Sequence, residues 1–130
     1  MAVRITEIII DAADPEALAQ FWCQVLGYVV TDAEADVVEI RPAGTEALTS
    51  IVPSLLFIRV PEAKTAKNRL HLDVNATDTD QATELARLLA LGATVTDIGQ
   101  GASDHDVHWH VLADPEGNEF CLLRSRADAF

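Results

Sequence analysis

A chain of 130 residues, 49% of them hydrophobic and 23% charged, can form one domain with a real core and is too apolar for intrinsic disorder. The formal net charge of −12 makes nucleic acid and anionic membrane surfaces poor partners. The two cysteines, Cys23 and Cys121, form neither a disulfide framework nor a CxxC zinc site. With no transmembrane run and no signal-peptide pattern, we expect a soluble cytoplasmic protein.

The first half of the chain predicts a strand, a helix and three more strands. A β-branched run at residues 3–10 indicates the first strand. Asp14 and Pro15 then favour the start of a helix, which Gly27 ends as a left-handed cap. Breaks at Pro and Gly separate the three later strands, which are expected at residues 28–31, 37–40 and 55–60.

The second half repeats this order. Residues 70–74 predict a strand, Asp78 and Gln81 a capping-box-like helix start, and Gly92 the helix end. Strands are expected at 94–98, 107–113 and 118–123, with a turn at residues 114–117 and a loose tail at 125–130. Leu26-Gly27 recurs as Leu91-Gly92, and Val30-Thr31-Asp32 recurs at the same offset as Val95-Thr96-Asp97. The pattern alone also fits ferredoxin-like and other α+β sheets.

A family resemblance is carried by four stretches, at residues 11–28 (DAADPEALAQFWCQVLGY), 55–74, 86–94 and 109–123 (WHVLADPEGNEFCLL). These stretches resemble the glyoxalase-like branch of the vicinal-oxygen-chelate superfamily, which is the glyoxalase, bleomycin resistance protein and dioxygenase type. The resemblance implies an α+β fold of two βαβββ modules whose curved sheets enclose one cavity, with the helices packed outside. It also implies one domain over 1–124, with modules at about 1–62 and 66–124, and a homodimer.

Metal-dependent relatives hold a divalent ion, such as Zn, Ni, Mn or Fe, on four inward side chains. The resemblance places these positions at Glu7, at its repeat mate His71, at Cys121, and at Phe57 or Leu56. An apolar residue cannot bind a metal, and the set departs from the glyoxalase pattern at three places. We therefore expect no tightly bound metal and no glyoxalase I activity; any metal present would use Glu7, His71 and Cys121.

The candidate catalytic residues are His71, Glu7 and Glu119, since Glu119 shares a strand face with Cys121. The remaining candidates are expected to contact a ligand, and they are Phe57, Arg59, Asp73, Trp109 and Cys121. Each also has an ordinary interpretation, as a satisfied strand histidine, a solvated carboxylate or a core side chain. Lys64, Lys67 and Arg69 either bind an anionic group or a partner subunit or form a surface loop. The histidines within residues 104–110 indicate an unrelated surface cluster.

Two functions follow from this reading. The first is a metal-free protein that binds a small organic molecule in the cavity between its modules, which the apolar fourth position favours. The alternative is a metal-dependent lyase, isomerase or ring-cleaving dioxygenase that uses His71 with Glu7 or Glu119, which the inward polar residues favour. A purely structural dimer module would leave Glu7 and His71 unexplained.

Overall fold

The computed structural model describes residues 1–44, 52–97 and 109–128 of the chain. The chain divides into two compact units, Met1–Ala63 and Lys64–Phe130. Among the described residues, no helix is long and apolar enough to cross a membrane. The elements, in chain order, are β1 (Glu7–Ala12), α1 (Pro15–Leu26), β2 (Tyr28–Glu34), β3 (Val37–Pro42), β4 (Ser54–Arg59), β5 (Leu72–Val74), α2 (Gln81–Leu91), β6 (Thr94–Val95), β7 (Trp109–Ala113) and β8 (Glu119–Leu123).

The first unit is a four-stranded sheet with α1 packed on one face. Its strand order is β1-β4-β3-β2; β1 and β4 are parallel, and the other pairs are antiparallel. Alternation along the strands gives each sheet one face toward the helix and one face away from it. The apolar side chains of the helix face are almost fully buried, and the core of this unit includes Leu18, Trp22, Ile40, Leu55 and Phe57.

Helix α1 begins and ends where its local signals predict. The Asp14 carboxylate accepts a hydrogen bond from the backbone N–H of Ala17 at 3.2 Å, and Pro15 occupies the first helical position. Gly27 adopts the left-handed conformation, with φ of 68°, and its N–H bonds to the carbonyl of Cys23. Helix α1 is therefore capped by one residue at each end.

The second unit repeats the first in strand order and direction. Its sheet has the order β5-β8-β7-β6, with β5 parallel to β8 and the other pairs antiparallel. Its core is built from Leu88, Leu112, Phe120 and Leu122, which have 0 or 1% of their surface exposed. The internal repeat and the α+β class of two βαβββ modules are thus confirmed.

The start of α2 differs from the prediction by two residues. The helix is capped by Asp80, whose carboxylate accepts a hydrogen bond from the Thr83 N–H at 2.8 Å, and not by Asp78. Gln81 is the first helical residue, and its side-chain amide donates to the Leu122 carbonyl at 3.1 Å. The contact between Gln81 and β8 sets where the helix begins, so the pair Asp78 and Gln81 does not form a capping box.

Both units also depart from the predicted strand limits. The first strand starts at Glu7 and not at residue 3, and β5 starts at Leu72. Leu70, the first residue of the predicted strand at 70–74, lies outside β5 and is 88% exposed. At the other end, Ser125 and Ala127 hydrogen-bond to Asn75 and Ala76, which attaches this stretch of the predicted loose tail to the chain just after β5.

The turn between β7 and β8 is organised by one buried carboxylate. Asp114 is 3% exposed, and its Oδ1 accepts hydrogen bonds from the backbone N–H groups of Glu116 and Asn118, both at 2.9 Å. The Asn118 side-chain amide donates to the same carboxylate. Gly117 completes the turn with φ of 88°. This turn holds β8 in register with β7.

Replacing that carboxylate should be costly because two partly buried backbone N–H groups would lose their acceptor. We expect Asp114→Ala to lower the free energy of unfolding by about 2–3 kcal/mol, and Asp114→Asn, which keeps one acceptor oxygen, by less. Urea unfolding of both variants and of the exposed-site control Asp78→Ala measures this. An Asp114→Ala protein as stable as the control would contradict the assignment.

Candidate functional site

The sheet face away from the helix, here called the helix-free face, carries the candidate residues of the second unit. On β8, Glu119, Cys121 and Leu123 alternate with Phe120 and Leu122, which belong to the core. The register places Asp73 and Val111 beside Cys121, and Trp109 beside Leu123. Paired residues share a face. The helix-free face of this unit therefore includes Asp73, Trp109, Val111, Glu119, Cys121 and Leu123.

Glu119 joins the loop before β5 to the start of β8. Its Oε1 lies 3.0 Å from the Lys64 ammonium, and its Oε2 accepts a hydrogen bond from the Asn68 N–H at 2.9 Å. The Glu119 side chain is only 10% exposed. Burial alone would raise the pKa of this carboxyl, but the hydrogen bonds from Asn68 and Lys64 outweigh it and lower the pKa to about 2. Glu119 is thus a fixed carboxylate.

His71 lies one residue before β5, and its ring contacts the same loop. Its Nε2 is 3.0 Å from the Lys67 ammonium and 3.0 Å from the Asn68 carbonyl oxygen. When Nε2 carries a proton it donates to that oxygen, and when it does not it accepts from Lys67. In either form this nitrogen is engaged by a group of its own unit.

Cys121 is buried, with 7% of its surface exposed. Burial raises the pKa of the thiol, and the nearby Asp73 raises it further through its negative charge and a hydrogen bond that it accepts from the thiol. The positive charge of Lys67 acts in the opposite direction. Cys121 is therefore held in the thiol form at neutral pH.

The helix-free face of the first unit differs in character. Glu7 is exposed at the start of β1, and the register pairs it with Ser54, whose buried hydroxyl has no hydrogen-bond partner among the described residues. Phe57 has 0% of its surface exposed and lies on the opposite face with Leu55, in the core. Of the two candidate positions Leu56 and Phe57, Leu56 is the one that shares a face with Glu7.

Arg59 belongs to the packing of the first unit and lies on neither helix-free face. Its guanidinium donates to the Asp36 carboxylate at 3.0 Å and also to the Ala13 carbonyl. Its register partner is Ala12, which is buried. These contacts tie the end of β4 to the β1–α1 and β2–β3 connections.

Trp109 marks the apolar end of the helix-free face in the second unit. It is 37% exposed and lines an open depression of about 610 Å³ with Leu123, Arg124 and Ser125. His110, the next residue, pairs with Leu122 on the other face. The rest of the predicted histidine cluster, residues 104–108, lies outside the described residues.

The second unit thus brings Asp73, Glu119 and Cys121 to one face, and His71 lies just before β5 in contact with the loop that Glu119 holds, whereas Glu7 belongs to the first unit. Sequence reasoning missed Asn68, because it acts through its backbone N–H and carbonyl. It named Lys67 without its contact to His71.

The residues of the second unit do not fit a divalent metal. An ion bound to Nε2 of His71 would meet the Lys67 ammonium, which lies 3.0 Å from that nitrogen. The raised pKa of Cys121 opposes a thiolate ligand, and Glu119 already accepts from two donors. Within the described residues of the chain, no three His, Cys, Asp or Glu side chains are grouped so that they could hold a metal.

A family model described as a glyoxalase-like domain matches residues 7–123. The chain belongs to that family. A comparison with curated proteins finds no match. The prediction of a vicinal-oxygen-chelate, glyoxalase-like protein is confirmed.

Several solved structures share the fold of this glyoxalase-like protein. A glyoxalase/bleomycin resistance protein/dioxygenase family enzyme from Burkholderia phytofirmans aligns with a TM-score of 0.66 and 18% identity, over 92% of this chain and 97% of that one. A protein from Agrobacterium tumefaciens aligns with a TM-score of 0.68 and 17% identity, over 97% of this chain and 100% of that one. A mutant of the fosfomycin resistance protein FosX from Listeria monocytogenes, in complex with Mn(II) and 1S,2S-dihydroxypropylphosphonic acid, gives 0.69 and 11%, over 95% and 90%.

The low pKa of Glu119 has a consequence for stability. A folded pKa of about 2, below the ordinary 4.5, means that the carboxylate stabilises the folded chain above pH 4.5 and that this contribution is lost as the pH falls toward 2. We expect Glu119→Gln to lower the free energy of unfolding at pH 7 by about 1–2 kcal/mol, with solvent screening the partly exposed Lys64. The difference should narrow below pH 4.5.

Denaturant unfolding between pH 7 and pH 3 measures this effect, and Glu62→Gln, an exposed carboxylate at the edge of the same loop, is the control. A Glu119→Gln difference that stayed constant over this range would show that the carboxylate gains nothing from Lys64 and Asn68.

Proposed function

We propose that this chain binds a small organic molecule on the helix-free faces of its sheets and does not perform glyoxalase I chemistry. One observation carries the proposal. The polar groups of the second unit that would have to serve a reaction, His71 and Glu119, are already satisfied by Lys64, Lys67 and Asn68 of the adjoining loop. They shape a surface and do not form a free acid–base pair.

The chemistry of Glu119 supports this proposal. General-base catalysis is most effective when the pKa of the base lies near the working pH. A carboxylate with a pKa of about 2 is a weak base at neutral pH, and taking up a proton would break its bonds to Lys64 and Asn68. Proton transfer to Glu119 would therefore disrupt the local structure and would have little thermodynamic driving force at neutral pH.

The surface itself has the composition of a binding site. Such sites combine apolar walls with a few placed polar groups. On the helix-free face of the second unit, Trp109 and Leu123 supply the apolar part, and His71 and Lys67 lie toward the other end. The FosX neighbour, which was solved with a small hydroxylated phosphonate, illustrates that this fold can hold a small organic ligand.

A metal-dependent lyase, isomerase or ring-cleaving dioxygenase is the second candidate, because the FosX structure contains Mn(II). The resemblance assigns the ligand positions to Glu7, His71 and Cys121, and Leu56 lies on the face of Glu7. The ammonium beside His71 and the thiol form of Cys121 argue against this candidate. The two functions differ in a quantity that can be measured directly.

The test is an inventory of metals and small molecules in the gently purified protein. We expect metal far below one equivalent per chain in the wild type, and a bound organic mass that native mass spectrometry detects and denaturation releases. His71→Ala tests the site, and His110→Ala, a histidine on the other face of the same sheet, is the control. About one equivalent of Ni, Zn, Mn or Fe, lost only in His71→Ala, would contradict the proposal and establish the metal-dependent candidate.

A further inference from the structure

We propose that the ligand is an organic anion with a flat apolar body, and that the Lys67 ammonium holds its anionic oxygen. This inference rests on the proposed function and adds the class of ligand. In it a fixed side-chain cation beside His71 takes the role of a bound metal ion. Three features support this proposal, namely the partners of Lys67, its place near Cys121 of the helix-free face, and the apolar surface at the other end of that face.

The partners of Lys67 leave its charge available. Its Nζ lies 3.0 Å from Nε2 of His71 and 3.5 Å from the Asn68 carbonyl oxygen, and both of these partners are uncharged when His71 is neutral. Among the residues that the structure describes, Lys67 forms no ion pair with a carboxylate. Lys64, three residues earlier, is instead neutralised by Glu119 at 3.0 Å. A lysine ammonium has three donors, so Lys67 can offer one to an anion.

The loop conformation fixes where this charge lies. Asn68 is attached to Glu119 through its N–H and contacts His71 through its carbonyl, and His71 in turn contacts Lys67. These contacts place the ammonium at the end of the face where β5 and β8 begin. In a chain with a net charge of −12, a positioned and unneutralised cation attracts a small anion without a large basic surface.

The other end of the same face supplies an apolar surface. Leu123 and its register partner Trp109 lie two residues beyond Cys121, which is about 7 Å along the strand. That distance suits one or two aromatic rings. A ligand with its anionic oxygen at Lys67 would extend across Cys121 and Val111 toward Trp109, whose exposed ring offers a stacking surface.

Asp73 opposes this ligand and provides a test of opposite sign. It lies beside Cys121, is exposed, and accepts a hydrogen bond from the thiol. Its negative charge should repel an anion that crosses the face. Removing that charge should therefore strengthen the binding of an anion, whereas removing the charge of Lys67 should weaken it.

Two fluorescent probes of nearly the same shape separate charge from apolar contact. They are 8-anilinonaphthalene-1-sulfonate, which is anionic, and N-phenyl-1-naphthylamine, which lacks the sulfonate. We expect Lys67→Met to weaken the anionic probe about tenfold and to leave the neutral probe nearly unchanged, because one charge-assisted hydrogen bond is lost. Asp73→Asn should tighten the binding of the anionic probe only, and Trp109→Ala should weaken the binding of both probes.

The controls are Lys67→Arg, which should retain the anionic probe, and Arg126→Met, which removes a cation that bonds to the Thr79 carbonyl. Circular dichroism and unfolding midpoints establish that each variant is folded. Added NaCl should weaken the binding of the anionic probe to the wild type and leave the binding of the neutral probe unchanged. This comparison requires no substitution.

The anion inference would be overturned if Lys67→Met and Arg126→Met lost the same amount of affinity for the anionic probe. It would also be overturned if Lys67→Met weakened the binding of both probes equally. If the neutral probe bound to the wild type and bound less tightly to the Trp109→Ala variant, the proposed function would stand without the anion inference. If neither probe bound to the wild type, both the inference and the proposed function would be contradicted.

Discussion

The hydrogen-bonded ion pair of Glu119 is the interaction on which the candidate site depends. A carboxylate with so little exposure is tolerated only when its oxygens are paired, and here one oxygen meets the Lys64 ammonium and the other the Asn68 N–H. The pairing attaches Lys64 and Asn68, which lie in the stretch without helix or strand between β4 and β5, to the start of β8. The positions of Lys67 and His71 follow from it, because both contact Asn68.

The two units show how one fold carries different surfaces. Their sheets have the same order and directions, and each sheet has apolar, fully buried residues on its helix-facing side, such as Ile40 and Phe57 in the first unit and Leu112 and Phe120 in the second. The opposite faces have diverged. The first unit presents the exposed Glu7 and Asp11 on β1, and the second presents a polar network that a loop holds in place. The core alternation preserves the fold, while the face away from the helices is free to change its chemistry.

Local signals were sufficient to predict the framework from the sequence. Asp14 with Pro15, Gly27 and Gly92 each act within a few residues, so the helix limits that they predict are the ones observed. Asp78 failed as a cap because the neighbouring Asp80 offers the same chemistry, and a contact of Gln81 with distant β8 decides between them. That contact is tertiary, and no local pattern contains it.

The candidate site was predictable only in part. The repeat offset from Glu7 indicated His71, the resemblance to the family indicated Cys121, and alternation correctly put Glu119 on the face of Cys121. Alternation did not distinguish Phe57 from Leu56, since that choice depends on which residue starts the pairing with β1. His71 and Glu119 both hydrogen-bond to backbone groups of Asn68, and such contacts cannot be predicted from residue identity because every residue has a backbone carbonyl.

The pairing of Glu119 can be tested directly by a carbon-detected NMR titration of its side-chain carboxyl in the folded protein. We expect a midpoint at about pH 2, with the Asn68 amide proton shifting over the same range, because both report one hydrogen bond. A midpoint near the ordinary 4.5, with no matching shift at Asn68, would contradict it. The loop would then not be held on β8, and the placement of Lys67 and His71 would lose its physical basis.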